Sequence, residues 1–406
     1  MTIPLEKIRL AAKTQHNALV EFTQQIVRIP SLPGHEGDVA AAISQEMKRL
    51  AYDEVWTDEV GNIIGKINGG SGPTILLNGH MDHVDPGPAE GWPYPPFSGQ
   101  IVGHELWGRA SVDMKGPVAA MLYAASLFKQ EGLRPPGDVL MTVPVMEEIG
   151  GLGTQHLAKQ LQAAAAICGE PSRNILRRGH RGRVGLVVTI KGRSAHASVP
   201  HLGINPHYGA AAFLSQLPTL AMAQDETLGL ATVVPTLYAT DQVSPNVIPG
   251  QVTLSLDWRT VPSEPPEAIV AKLQALLDTS LAANREFETG AGTVQILTRE
   301  FKTYNGVKQT LPAIFPSYIL AQDDPFIQAA QATLISVLGE DKGVDIWRFA
   351  TDGGHLMAAG IPTIGFGPGD ETLAHTNQER LDLNQLKTAV TAYAALTLKL
   401  AEVAEQ

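Results

Sequence analysis

The apolar run from Val139 to Val145 stops at Glu147 and Glu148, two adjacent carboxylates followed by glycines. Like charges at the edge of an apolar core are costly unless a cation meets them. Three further clusters combine chemistry-bearing side chains with the ends of apolar runs or the start of a helix. They are Gly79-His80-Met81-Asp82, Asp113 within GRASVDMKGP, and Cys168-Gly169-Glu170-Pro171. A fifth, Ala374-His375-Thr376-Asn377-Gln378-Glu379, lies far downstream. On extended backbone, residues two apart face the same way. His80 could therefore ligate a metal while Asp82 receives its other ring proton. Two histidines and three or four carboxylates, with no thiolate, suit a divalent ion: zinc first, with cobalt or manganese as substitutes. Two such ions about 3.5–4 Å apart form a clamp that a bridging carboxylate and a shared water complete. One member of the Glu147–Glu148 pair would then bind metal, and the other would act as general base.

The elements that must position these residues follow from periodicity. TILLN before His80, Val139–Val145 and Ala163–Cys168 read as buried strands. Residues 4–28, 39–50 and 117–130 read as helices, and Asp85–Phe97 as a Pro/Gly-rich loop. Strands alternating with helices predict an α/β domain with a mixed, largely parallel sheet and helices on both faces. Near residue 180 the texture changes. RVGLVVTIK and Gln251–Asp257 read as strands, and Pro206–Leu217 and Pro265–Leu277 as helices. The pattern predicts a smaller α+β domain over residues 184–316, inserted into a catalytic domain of residues 1–183 and 317–406.

Bulk properties exclude several classes. With 41 acidic against 30 basic residues the net charge is −11, which disfavours nucleic acid as a partner. No apolar run reaches the ~18 residues of a membrane span, and the N-terminus lacks a signal-peptide core. The expected location is the cytoplasm. One cysteine, Cys168, allows no internal disulfide.

The ordered motifs GHMDHVDPG, GRASVDMKGP, MEEIGG, GEPS, KGRSAHAS, SPNVIPG, TDGGH and AHTNQE run over essentially the whole chain. Together they resemble the co-catalytic dinuclear zinc amidohydrolase and metallopeptidase family that includes acetylornithine deacetylase, succinyl-diaminopimelate desuccinylase, aminoacylase and glutamate carboxypeptidase. The resemblance implies that His80 and Glu170 bind one metal, that Glu148 and His375 bind the other, and that Asp113 bridges both. It makes Asp82 the residue that orients His80, and Glu147 the base that deprotonates the shared water. His196, in the inserted domain, would stabilise the oxyanion in a neighbouring subunit's site. Asn246 and Arg259 would hold the substrate's carboxylate. The inserted domain would act as lid and dimerisation surface, giving a homodimer, and the peptide bond after Asp113 would be cis. Taken alone, SAHAS could be an edge-strand loop, Asn246 a turn residue and Arg259 an exposed strand arginine. His83, His104, His156 and His355 are read as structural. Glu170, where many peptidases of the family carry aspartate, tilts the substrate towards an N-acyl amino acid or N-acyl diamine. A dipeptidase or carboxypeptidase, and a metal-containing binding protein without turnover, are the alternatives.

Overall fold

Continuous apolar runs too short for helices form the centre of the first unit. The computed structural model describes residues 3–284, 287 and 291–406. The chain divides into two compact units, Met1–His180 with Glu300–Gln309 and Ile319–Gln406, and Arg181–Arg299 with Thr310–Tyr318. In the first, Val139–Val143, Ile75–Asn78, Ala165–Cys168 and Thr363–Gly365 lie side by side in parallel. Ile63–Ile67 and Glu54–Thr57 extend one edge antiparallel, and Leu176–His180 pairs antiparallel with Thr363–Gly365 on the other. The sheet is mixed and largely parallel. Alternate residues face opposite ways. Leu76, Leu140 and Ala166 pack against Leu356 of the short helix Gly353–Ala358, while Leu77, Met141 and Ile167 are buried on the other side. The helices Gly116–Gln130 and Leu383–Ala404 pack on each other. Both are alanine-rich, and the first is buried from Gly116 to Phe128. A helix apolar on every side belongs in an interior. Among the described residues no helix is long and apolar enough to cross a membrane.

Two expectations change. The helix read over residues 4–28 is two helices, Leu5–Thr14 and His16–Val27, separated at Gln15. Residues 300–309, expected in the inserted domain, belong to the first unit. Their anchor is Tyr304, whose hydroxyl donates to Gly61 O at 3.0 Å. Gly61 has φ +101°, and a Cβ there would fall 2.5 Å from the Tyr304 ring. Only glycine permits that approach.

The second unit is an antiparallel sheet in the order Thr232–Thr240, Gln251–Thr260, Gly182–Lys191, Ala291–Ile296. Gln251–Thr260 alternates strictly between buried and half-buried positions. Its Val252, Leu254, Leu256 and Trp258 share a core with Val184, Leu186, Val188 and Ile190, and with Phe213, Leu273 and Leu277 from two helices. The period of two is the signature of a sheet covered on one face. Thr232–Thr240 is an edge strand with Val234, Leu237 and Tyr238 exposed.

Candidate metal centre

Ligands in open α/β sheets gather at the carboxyl ends of parallel strands, and the candidate residues of the first unit do so. His80 and Asp82 follow Ile75–Asn78, Glu147 and Glu148 follow Val139–Val143, Glu170 follows Ala165–Cys168, and His375 lies beyond Thr363–Gly365. Asp113 precedes the helix Gly116–Gln130, and the Asp113–Met114 peptide is cis. Gly79 admits this convergence by lacking a side chain: a Cβ there would lie 2.6 Å from the methyls of Met114 and Met121.

Asp113 stands between the two histidines. Its Oδ1 is 3.1 Å from His80 Nε2 and its Oδ2 3.1 Å from His375 Nε2. His375 Nε2 is also 3.1 Å from Glu148 Oε2, and His80 Nε2 is 3.6 Å from Glu170 Oε1. Donor atoms of His80, Glu147 and Glu170 lie within 4.8 Å of one another, as do those of His80, Asp113 and Glu148. His375 keeps half of its side chain exposed, whereas His80 is buried.

Asp82 does more than the spacing predicts. His80 Nδ1 is 3.1 Å from its backbone oxygen and 3.4 Å from its Oδ1. The same carboxylate accepts the Glu147 amide at Oδ1 and the Glu148 amide at Oδ2, both at 3.1 Å. The Val145 amide goes to Asn62 Oδ1 at 3.0 Å. Met146, in the left-handed region at φ +57°, sits inside this set of bonds. Side-chain acceptors from elsewhere in the fold thus fix the turn that carries the two glutamates. Asp82→Asn keeps the volume but replaces an acceptor with a donor. We expect that variant to bind metal about 10–100-fold more weakly, read by metal titration of the stripped protein.

The electrostatics call for cations. Among the described residues Asp82, Asp113, Glu148 and Glu170 form ion pairs only with histidine. Burial pushes Glu147 well above the usual carboxylate range against the pull of His80, with Asp352, Glu170 and Glu148 adding to the rise. Burial, then the charge of Asp113, raises Glu170 and Glu148. Hydrogen bonds to Asp113 and Glu148 lift His375 to about 10. Burial opposes the rise of His80, but Asp113 and Asp82 outweigh it. A buried donor set of imidazoles and surplus carboxylates fits divalent ions.

In the second unit His196 pairs with Val247, and the Ala197 amide donates to Asn246 O at 2.9 Å, so His196 and Asn246 are neighbours. Both are exposed. Arg259 is not with them. It lies eight residues along Gln251–Thr260 from the end nearest Asn246, about 26 Å at strand rise, and its Nε donates to Asp257 Oδ1 at 2.7 Å. His83 is structural, its Nε2 accepting the Ser31 amide at 2.9 Å. Asp352, within TDGGH, is a functional neighbour that no spacing signals. It accepts from the Thr154 hydroxyl at 2.6 Å, and its charge acts on both Glu147 and Glu170.

A profile of peptidase family M20/M25/M40 matches residues 76–399. The Escherichia coli K12 protein YgeY, itself uncharacterized, is 29% identical over 403 residues, 98% of either chain. Aminopeptidase PepT from Bacillus cereus superposes with a TM-score of 0.74 at 19% identity, over 95% of this chain and 99% of that one. The YXEP protein of Bacillus subtilis, a dinuclear metal binding peptidase, gives 0.71 at 18% identity, over 96% and 99%. At those identities the structural likeness is one of fold.

Proposed function

The chain belongs to peptidase family M20/M25/M40, and from that premise we propose that it cleaves the amide bond of an N-acyl amino acid or N-acyl diamine. Membership makes it a hydrolase of amide or peptide bonds. The observation that carries the reading is the cluster of His80, Asp113, Glu148, Glu170 and His375, with no lysine or arginine among the described residues paired to its carboxylates and with Glu147 at its edge. His80 and Glu170 would hold one divalent ion, Glu148 and His375 a second, with Asp113 shared, and zinc suits the set best. Such ions, when bound, act as Lewis acids towards a substrate carbonyl and towards water.

The chain's own groups do the rest. Glu147 takes the proton of the attacking water and carries it to the departing nitrogen. Asp82 keeps Glu147 in place through its amide. His196 donates to the oxyanion as it forms, and Asn246 and Arg259 hold the substrate's carboxylate, Arg259 through its fork. Because Arg259 stands far from His196 and Asn246 within one inserted unit, one small substrate meets all three only if two chains contribute. The exposed edge strand Thr232–Thr240 supports a two-fold homodimer through that unit.

Amine release from N-acetyl, N-succinyl and N-formyl amino acids and from dipeptides, by zinc- or cobalt-loaded protein, tests the substrate class. We expect release from the acylated amino acids. Glu170 favours that class, whereas the fold likeness to an aminopeptidase favours short peptides, and release from dipeptides alone would assign the chain to them. The shared site has its own test. We expect His196→Ala and Glu147→Gln each to be strongly impaired alone, and co-expression to restore activity because each mixed dimer would hold one intact site. A mixed population as inactive as its parents would remove His196 from the partner's site.

A further inference from the structure

Glu379 closes the quoted AHTNQE and has no part in the chemistry above, yet it is fully buried. Its Oε1 accepts the amides of Val112 and Asp113 at 3.0 and 3.1 Å. Its Oε2 pairs with the guanidinium of Arg109, also buried, which in turn sits 5.1 Å from the centre of the Trp92 ring. The backbone repeats the connection. The Gly108 amide donates to Glu379 O at 3.2 Å, and Arg380–Asp382 pairs antiparallel with Glu105–Trp107. The segment that leaves His375 is therefore stitched to the segment that enters Asp113.

The arrangement parallels that of Asp82. One buried carboxylate takes two consecutive amides at the turn that carries Glu147 and Glu148, and another takes two at the turn that carries Asp113. Fixing both amides fixes the backbone from which the Asp113 side chain departs. That side chain has to reach His80 with one oxygen and His375 with the other. A buried carboxylate with no cation would be costly in this place, and Arg109 answers that need.

We propose that Glu379, clamped by Arg109, is a positioning residue that aims the Asp113 carboxylate between His80 and His375 and so sets the two metal positions relative to each other. The inference rests on the two-metal reading. Outer partners of metal ligands commonly govern affinity by about 10–100-fold, and here the effect should concentrate on the second ion bound. His80 keeps its own support from Asp82, whereas a shared site needs Asp113 aimed.

The test is titration of the stripped full-length protein with cobalt, read by visible absorption of the bound ion. Two double variants separate the acceptor from the charge. Arg109→Met with Glu379→Gln removes the ion pair but keeps an oxygen for the two amides. Arg109→Met with Glu379→Leu removes both. We expect the glutamine pair to take up two cobalt ions with the wild-type spectrum. The leucine pair should bind the first ion normally and the second about 10–100-fold more weakly, with an altered spectrum and with kcat reduced at little cost in KM. Glu379→Asp retains the charge but shortens the reach, so it should also weaken the second ion, and it decides the matter should the leucine pair not fold. A leucine pair or aspartate variant that binds both ions like wild type would overturn the inference. Wild-type protein that takes up no cobalt would overturn the metal reading and the inference together.

Discussion

Glu147→Gln leaves both metals bound and lowers kcat by roughly 10²–10⁴-fold, the range that a positioned general base contributes. The substitution keeps the size of the side chain. It also keeps the Glu147 amide that Asp82 accepts at 3.1 Å, so the turn stays in place. Only the capacity to take a proton is lost. The amide group also removes one anion from a cluster in which Glu147 already stands above its usual range, through burial first and then the opposed effects of His80 and the neighbouring acids. The metal-free variant should therefore melt no lower than metal-free wild type. Metal content by elemental analysis, together with amine release, checks both statements. A variant that keeps more than about a tenth of wild-type kcat would assign the base elsewhere. A variant that loses its metals would make Glu147 a ligand, a role that its closeness to His80 and Glu170 makes worth excluding.

How far the sequence was legible depended on the range of the interaction. Ile75–Asn78, Val139–Val143 and Ala165–Cys168 were readable because a strand covered on both faces is a plain apolar run. In the second unit, Gln251–Thr260 announced itself by alternation. Of the candidate metal centre, His80, Glu147, Glu148 and Glu170 are legible because they stand where such runs stop, whereas Asp113 and His375 are joined to them only by the order of motifs. What lay hidden were partnerships across long stretches of chain. Nothing local to KTYNG shows that Tyr304 closes on Gly61, so position along the chain alone puts residues 300–309 with the inserted unit rather than the first. Asp82 looked like a partner for His80, two residues away, but its bonds to the Glu147 and Glu148 amides span more than sixty residues. Glu379 stands in AHTNQE with nothing local to mark its role, because its partners Arg109, Val112 and Asp113 lie far upstream. An acceptor for a backbone amide leaves no mark on the sequence of the donor. For the same reason Asn62, which takes the Val145 amide, had no motif to signal it.

Stripping the metals should lower the melting temperature, and the gap between loaded and stripped protein should widen as the pH rises from about 6 to about 8.5. Two effects with the same sign produce this. In the stripped protein, Glu147, Glu148 and Glu170 are shifted upward by burial and then by their charged neighbours. His375 is lifted to about 10 by Asp113 and Glu148. Asp352 is pushed up to about 7 by burial. A group shifted upward binds its proton more tightly in the folded chain. Its contribution is complete below the ordinary value and is lost as the pH climbs through the raised one. Asp113 is shifted the other way, burial being outweighed by His375 and His80, but its contribution is lost only in strong acid and stays constant across this window. Stripped protein therefore weakens with rising pH. Loaded protein gains over the same range, because ligands bind metal in their deprotonated forms and tighter binding stabilises the folded state. Each proton displaced is worth about 1.4 kcal/mol per pH unit, enough to register in a calorimetric scan at fixed ionic strength and fixed free metal. A gap that stayed constant or narrowed with rising pH would mean that the protons of these groups are not what the metals displace, and that the ions bind away from the His80–Asp113–His375 line.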